Sequence, residues 1–395
     1  MVVFGAVKDH VAAVIAQIAP VDSQERFEGL GVRVIRAFAR FTGPREVEAG
    51  GHVIRARRFV IATGSRPFVP PIQGADAVPY YTNETIFAAR EKPGHLIVIG
   101  GGPIGMEMAQ AHRRLGCAVT VIEGAKALGR EDPEMAAVVL DALKAEGVGV
   151  VEGQPVVRLS GEAGAVEVLL GDGTLVAGSH LLMAVGRKVA LEGMGLEAAG
   201  VEHTPKGVTV DARLRSSNRR VFAVGDAAGG LQFTHVAGYH AGIVVRQAVL
   251  GLPARATMRA MPRATFTEPE LAQVGLTEAE ARAAHGDALT VVRAEFHHND
   301  RAIAEAKDKG LIKVMIVKGR PVGASIVGPQ AGELIALWAL TISAKLKMSA
   351  IAGMVAPYPT VGEVSKRAAG AYFSPKLFDN AAVKRLVRFV QRFVP

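Results

Sequence analysis

At 395 residues, with 49% hydrophobic and 21% charged side chains, the chain has the length for two or three domains and the composition of a well-cored globular protein, not of a disordered one. A formal charge of +9 raises the question of nucleic acid, but the lysines and arginines are spread along the chain without clustered aromatics or a nucleic-acid motif, so no nucleic-acid partner is expected. The single cysteine, Cys117, allows no intrachain disulfide. Residues 11–18 are apolar, yet Lys8, Asp9 and His10 interrupt the approach and no small-residue cleavage site follows, so a secretory leader is not read there. The apolar run at 334–343 is fenced by Glu333 and Lys345 and falls short of the roughly 20 residues a membrane span needs, which makes it a buried helix. A cytoplasmic location is the expectation.

In chain order, the first legible pattern is Glu46-Val47-Glu48, a Gly50-Gly51 turn and an apolar strand, Arg58-Phe59-Val60-Ile61-Ala62-Thr63-Gly64. The strand Leu96-Ile97-Val98-Ile99 then runs into Gly100-Gly101-Gly102-Pro103-Ile104-Gly105, followed by a helix over 106–114 and the strand Ala118-Val119-Thr120-Val121-Ile122. In a dinucleotide-binding βαβ unit one glycine makes the tight turn, one lets backbone amides approach a pyrophosphate, and one lets helix and strand pack closely; Gly100, Gly102 and Gly105 are placed for these roles. Glu123, closing the second strand, can accept hydrogen bonds from a ribose 2′-hydroxyl and would repel a 2′-phosphate, which favours NAD over NADP, a preference that Lys126 and Arg130 soften. Cys117 sits in the turn into that strand and reads as a small hydrophobe.

A second copy of the first pattern comes next: Glu167-Val168-Leu169, a Gly171-Asp172-Gly173 turn, and Leu181-Leu182-Met183-Ala184-Val185-Gly186. Either two unrelated hairpins recur here or the chain carries a duplication. Under duplication, Gly186 lies 86 residues beyond Gly100, and the same step back from Gly64 lands upstream of Met1. A first nucleotide loop is then missing from these residues, and because the first strand of a doubly wound sheet is central, that domain is expected to be the least stable. Val221-Phe222-Ala223-Val224-Gly225-Asp226 is another strand ending on glycine and a carboxylate, with a helix opening at Thr234, His235, Val236 and Ala237; Asp226 suits a polyol hydroxyl or simply caps a turn. From Pro262 onward alternating strands at 310–317 and 322–327, with a helix over 332–345, mark a separate α+β domain. His297-His298, two adjacent ligands with no Cys or acidic partner at ligand spacing, reads as the two faces of a strand, and no metal site is expected. In the tail, Leu386, Phe389, Val390 and Phe393 lie opposite Lys384, Arg385, Arg388 and Arg392, a basic amphipathic helix that docks on its own protein or, through residues 376–395, on an anionic membrane.

Ala62-Thr63-Gly64, the glycine loop with Glu107, Ala184-Val185-Gly186-Arg187, Gly225-Asp226, Phe266-Thr267-Glu268-Pro269-Glu270 with Val274-Gly275, and Pro359-Thr360 with Glu363 together resemble the pyridine nucleotide-disulfide oxidoreductase family, in its dihydrolipoamide dehydrogenase-like and mercuric reductase-like branches. The resemblance implies an α/β protein with two Rossmann-like dinucleotide-binding domains, the first incomplete, and a C-terminal α+β dimerisation domain. Its boundaries would be a partial FAD domain at 1–78, an NAD domain at 79–186, a return to FAD at 187–258, an interface domain at 259–370 and a tail at 371–395. It further implies a cytoplasmic homodimer carrying FAD and NAD, in which a nicotinamide hydride passes through flavin to or from a small sulfur or metal substrate. Thr63, Gly64, Asp226, Thr234 and His235 would contact the flavin nucleotide, and Gly100, Gly102, Gly105, Glu123 and Gly186 the nicotinamide nucleotide.

Three departures qualify the resemblance. The FAD-pyrophosphate loop is missing from these residues. The redox cysteine pair is missing too, and thiol–disulfide exchange needs a second sulfur that Cys117 does not find here. The lysine after that pair goes with it, which leaves Glu107 an unpaired, partly buried charge. Third, the family's active-site histidine is Tyr358, a hydrogen-bond donor rather than a base near neutrality, so Glu363 either orients it or merely starts a helix. An enzyme is the first reading. An NAD-binding dimeric remnant without flavin turnover is the second, and a two-domain flavin dehydrogenase acting on quinone or ferredoxin, disfavoured by the domain beginning at Pro262, is the third.

Overall fold

The structure is a computed structural model that describes residues 2–394, and these fall into two compact units. The first comprises residues up to Gly100 together with 115–122 and 155–257. At its centre the strand His95–Ile99 runs parallel to Ala118–Glu123 on one side and to His180–Met183 on the other, with Tyr81–Thr82 beyond the latter. Leu96, Ile97 and Val98 are completely inaccessible to solvent. A continuous apolar run, rather than an alternating one, is what a parallel strand covered on both faces requires.

The repeat seen in the sequence is a repeat in space. Strands Ala39–Gly43, Glu46–Ala49 and His52–Arg55 form an antiparallel three-stranded meander, and so do Val156–Glu162, Ala165–Leu170 and Leu175–Gly178. Each feeds a short parallel strand, Phe59–Ile61 or His180–Met183. Both copies therefore hold one strand more than the predicted hairpin. The extra strands carry Arg40 and Thr42, or Arg158 and Ser160, among their apolar residues, which breaks the apolar pattern that made their neighbours legible. The copies differ in company: His180–Met183 lies between two strands, whereas Phe59–Ile61 pairs only with Val221–Ala223, and Val60 is left 50% exposed.

The second unit holds 101–114, 123–154 and 258 onward. Its sheet is antiparallel, in the order Pro262–Thr265, Glu270–Gly275, Arg320–Gly328, Leu311–Val317, Leu289–Glu295. The predicted helix at 332–345 is Ala331–Ser343, and its Trp338 is wholly buried with the indole N–H donating to Ser365 Oγ at 3.1 Å. The hydroxyl of Ser365, on the helix Glu363–Phe378, thereby satisfies the one polar atom of the largest core side chain. The last helix, Ala381–Phe393, buries none of its residues, and the tail's final residue lies outside the described ones. Among the described residues no helix is long and apolar enough to cross a membrane.

Lys313, in the middle of the strand Leu311–Val317, is only 2% exposed. Its ammonium meets Asp132 at 2.8 Å, Glu134 at 2.6 Å and Glu278 at 3.0 Å, while Arg293 shares Glu134 and Glu278. Burial works to lower the lysine pKa, but the hydrogen bonds it donates to the three carboxylates outweigh it and hold the amine charged. Asp132 also caps the helix Pro133–Ala145, accepting the Glu134 amide, so one carboxylate anchors both a helix start and a sheet. Lys313→Met leaves Asp132 buried without its counter-charge and is expected to cost about 3–5 kcal/mol. A urea-denaturation midpoint equal to that of the unsubstituted protein would refute this account.

Candidate functional site

Gly100 adopts φ +111°, and a Cβ there would stand 2.3 Å from the Ala184 carbonyl oxygen. Only glycine lets the strand end in this conformation. Beyond it the helix Pro103–Arg114 begins on a proline, whose missing N–H costs nothing in a first helical turn. A Cβ on Gly101 would come within 3.0 Å of the Glu123 Cβ, so this glycine allows loop and strand end to pack. Around Gly102, by contrast, no atom lies within 4 Å of where a Cβ would be. Gly105 is buried on the inner side of the helix. Open space beside the positive end of a twelve-residue helix is where a pyrophosphate finds backbone donors and a favourable dipole.

Glu123 is fixed before any ligand arrives. Its Oε2 accepts the Gly101 N–H at 2.7 Å and its Oε1 the Ala125 N–H at 2.9 Å. A carboxylate offers about four acceptor positions, so two remain for a ribose diol. Neither Lys126 nor Arg130 forms an ion pair with Glu123 among the described residues, and both are exposed. The residues thus suit an adenine dinucleotide that carries a free 2′-hydroxyl.

A second constellation lies in the first unit. Asp226, in the turn after Val221–Ala223, accepts the Ser65 hydroxyl at 2.5 Å, and Arg187 donates from Nε to that same Oγ and from Nη2 to the Ser65 carbonyl, both at 2.7 Å. Strands Ser65–Pro67 and Arg187–Val189 pair antiparallel, which brings Ser65 and Arg187 together. The Asp226 carboxylate is thus bonded by Ser65 rather than capping its own turn, and the Gly229 amide bonds its carbonyl. Ser65 escaped sequence reasoning because a serine after Thr63-Gly64 carries no spacing signal of its own. Gly225 donates its amide to His240 Nδ1 at 3.2 Å, and burial lowers the His240 pKa and keeps that imidazole neutral, as an acceptor must be. Gly64 is half-buried, Thr63 is exposed, and so are Thr234 and His235 at the start of the helix Thr234–Ala248, where the His235 ring stacks on Phe233 at 5.2 Å. Gly186 has φ +114° with open space about it. A fixed carboxylate and an open 15-residue helix start suit the polyol and phosphate of a flavin nucleotide.

Tyr358 is 71% exposed, and its hydroxyl donates to Asp300 Oδ2 at 2.8 Å. The hydrogen bond to Asp300 raises the phenol above its ordinary value, so at neutral pH the group is a donor. Asp300 begins the short helix Asp300–Ala304, capped by Asn299; the Asn299 amide reaches the carbonyls of Thr360 and Val361 at 3.1 and 3.3 Å and so ties the two segments together. Glu363 starts the helix Glu363–Phe378 and accepts the Thr360 amide at 3.5 Å, while the tyrosine hydroxyl bonds Asp300. Asp300 lies 58 residues from Tyr358 in sequence and is invisible to motif reading.

One expectation holds with an addition and another needs correction. Glu107 faces no cation among the described residues, though Phe266 donates its amide to Oε1 at 2.8 Å. Burial still raises its pKa, and that amide only partly offsets the effect. Nor do His297 and His298 occupy two faces of a strand: the strand ends at Glu295, and Phe296–His298 is a 3-10 turn that gathers both imidazoles and the Glu295 carboxylate. The acidic partner thought absent is Glu295.

Residues 11–241 match the family described as Pyridine nucleotide-disulphide oxidoreductase, and residues 261–369 match its dimerisation domain. The chain belongs to this family. It is 33% identical over 345 residues to a mercuric reductase of Bacillus cereus, covering 86% of this chain and 54% of that protein, and 37% identical over 355 residues to a dihydrolipoyl dehydrogenase of Thermus scotoductus, covering 87% and 76%. The chain thus spans about half the length of the first of these relatives. Among solved structures, the HOCl-induced flavoprotein disulfide reductase RclA of Escherichia coli superposes with TM-score 0.80 at 30% identity, over 86% of this chain and 79% of that one. LpdA of Mycobacterium tuberculosis superposes with TM-score 0.86 at 26% identity, over 94% and 83%. The α/β architecture with a C-terminal dimerisation domain is that of the family.

The Glu107 carboxyl has a raised pKa in the fold, so its contribution favours folding below the ordinary carboxyl pKa and is lost as pH rises through the folded value. Glu107→Gln is accordingly expected to raise the melting temperature by a degree or two at pH 8 and to leave it unchanged at pH 4. Equal shifts at both pH values would show that ionisation of Glu107 is not the cause.

Proposed function

We propose that this chain is the nicotinamide- and flavin-binding part of a flavin-dependent NAD(H) oxidoreductase that assembles as a homodimer through residues 261–369. The observation that carries the reading is the preset Glu123 carboxylate, gripped by the Gly101 and Ala125 amides beside the open space at Gly102. When bound, NADH would supply a hydride, a hydrogen nucleus with its electron pair, and FAD would take it up and pass electrons on. Glu123 selects the ribose, the amide-lined turn at Gly102 takes the pyrophosphate, and the Ser65 and Arg187 pair holds Asp226 towards the flavin nucleotide.

The acceptor is read from Tyr358. A thiol acceptor calls for a base that cycles a proton near neutrality, and a phenol raised by Asp300 does not do so. A metal-ion acceptor, such as the name mercuric reductase gives to several relatives, needs no such base. The family's other named activity, dihydrolipoyl dehydrogenase, fits this residue less well.

The tail supports a second proposal, peripheral attachment to an anionic membrane. Leu386 is 61%, Phe389 58% and Phe393 62% exposed, and the helix that carries them has four cations and no acidic residue. That pairing of an apolar stripe with a basic one suits an anionic lipid surface.

For the flavin reading, the purified protein is expected to show flavin absorption bands that bleach with NADH, and Glu123→Ser is expected to raise the NADH KM about tenfold or more, since a hydrogen bond to a charged group is worth about 1.5–3 kcal/mol. A colourless protein that still binds NADH would establish the non-catalytic reading instead. For the tail, co-sedimentation with phosphatidylserine vesicles should fall several-fold in Phe389→Asp/Phe393→Asp; equal pelleting of both proteins would dispose of the membrane proposal.

A further inference from the structure

Where the strand Leu289–Glu295 gives way to the 3-10 turn Phe296–His298, three potential ligands converge: one oxygen of Glu295 and one ring nitrogen each from His297 and His298 lie within 4.8 Å of one another. His297 Nδ1 is 2.7 Å from Glu295 Oε2, and the two imidazole centroids are 3.8 Å apart. Metal–nitrogen and metal–oxygen bonds of about 2.0–2.2 Å place neighbouring ligand atoms roughly 3–4 Å apart, so a shared ion asks only for side-chain adjustments on an exposed turn. The backbone beneath is firm. Phe296 is wholly buried and donates its amide to the Gly310 carbonyl at 3.0 Å, and Asn299 is 1% exposed and bonded to Ala302, Thr360 and Val361.

We propose that Glu295, His297 and His298 form a binding site for a divalent first-row transition metal ion, with Cu(II) bound most tightly. Imidazole and carboxylate suit Cu, Zn, Ni and Fe rather than Ca or Mg, and among divalent ions at such a donor set copper stands highest. Three protein ligands in solvent leave positions open for water or an exchanging ligand, the character of a site that takes up and releases its ion. Two residues beyond His298, Asp300 accepts the Tyr358 hydroxyl, so the ion would sit on the same turn that positions the group from which the acceptor chemistry was read. The inference goes beyond the flavin reading and does not need it: ligation here is a property of one turn in the second unit.

The test uses the full chain without a histidine tag and Cu(II) as the probe, with no NADH present. Isothermal titration calorimetry should show one Cu(II) per chain at the highest affinity, and electron paramagnetic resonance at one equivalent should show nitrogen hyperfine structure. In His297→Ala/His298→Ala the affinity should fall by about 100-fold or more, since even groups that merely orient metal ligands are worth about 10–100-fold, and the hyperfine pattern should be lost. Glu295→Gln should weaken binding with the pattern retained. Because all three side chains are exposed, an unchanged melting temperature will separate loss of ligands from loss of fold. Unchanged Cu(II) affinity in the double variant would overturn the proposal, as would a wild-type chain that binds several ions with equal weakness. Failure of NADH to bleach a flavin would refute the proposed function and leave this result standing.

Discussion

Several parallel strands of the first unit lead into a glycine with positive φ, and that backbone choice shapes the loops beyond them. Gly64, Gly100, Gly186 and Gly225 have φ of +65°, +111°, +114° and +58°. At each the chain turns abruptly off the carboxyl end of a strand, and loops in that position are where ligands bind to open α/β sheets. A residue with a Cβ at Gly100 would drive into the Ala184 carbonyl, and the strand ends would splay. The groups presented just beyond these glycines differ: an open helix start after Gly100, an arginine-bound serine after Gly64, a serine-bonded aspartate after Gly225.

Charge in the second unit obeys one rule with two outcomes. Lys313 enters the sheet with three carboxylates around it and remains ionised at no net loss of partners. Arg293 on the neighbouring strand completes the group and pulls Glu134 down to about 2. Glu107 is partly buried with one backbone amide and no cation among the described residues, and burial raises its pKa. A carboxyl carried in that condition does little for folding at neutral pH.

How much of this was readable from the chain depended on whether the controlling interaction was local. The glycine loop, the strand runs and Glu123 were legible because turn, period and strand end sit within 30 residues and share one physical purpose. The repeat around Gly64 and Gly186 was legible by its glycines, but the first strand of each meander was not, since Arg40 and Arg158 interrupt its apolar pattern. Ser65, Asp300 and the Phe266 amide were out of reach because each meets its partner across 58 to 161 residues. Glu295 was missed for the opposite reason. It is two residues from His297, yet reading the segment as strand sent adjacent side chains to opposite faces, when a 3-10 turn brings them to one.

That asymmetry separates the two halves of the chemistry. The dinucleotide half is recognised by main-chain amides and a helix start, features that a backbone-encoding motif carries whole. The proposed acceptor half depends on side chains from distant segments: a histidine at position 358 would be a base, whereas Tyr358 bonded to Asp300 is a donor held above its usual pKa. Asn299 makes that bond an architectural matter, since it caps the helix bearing Asp300 and also grips Thr360 and Val361, just beyond Tyr358.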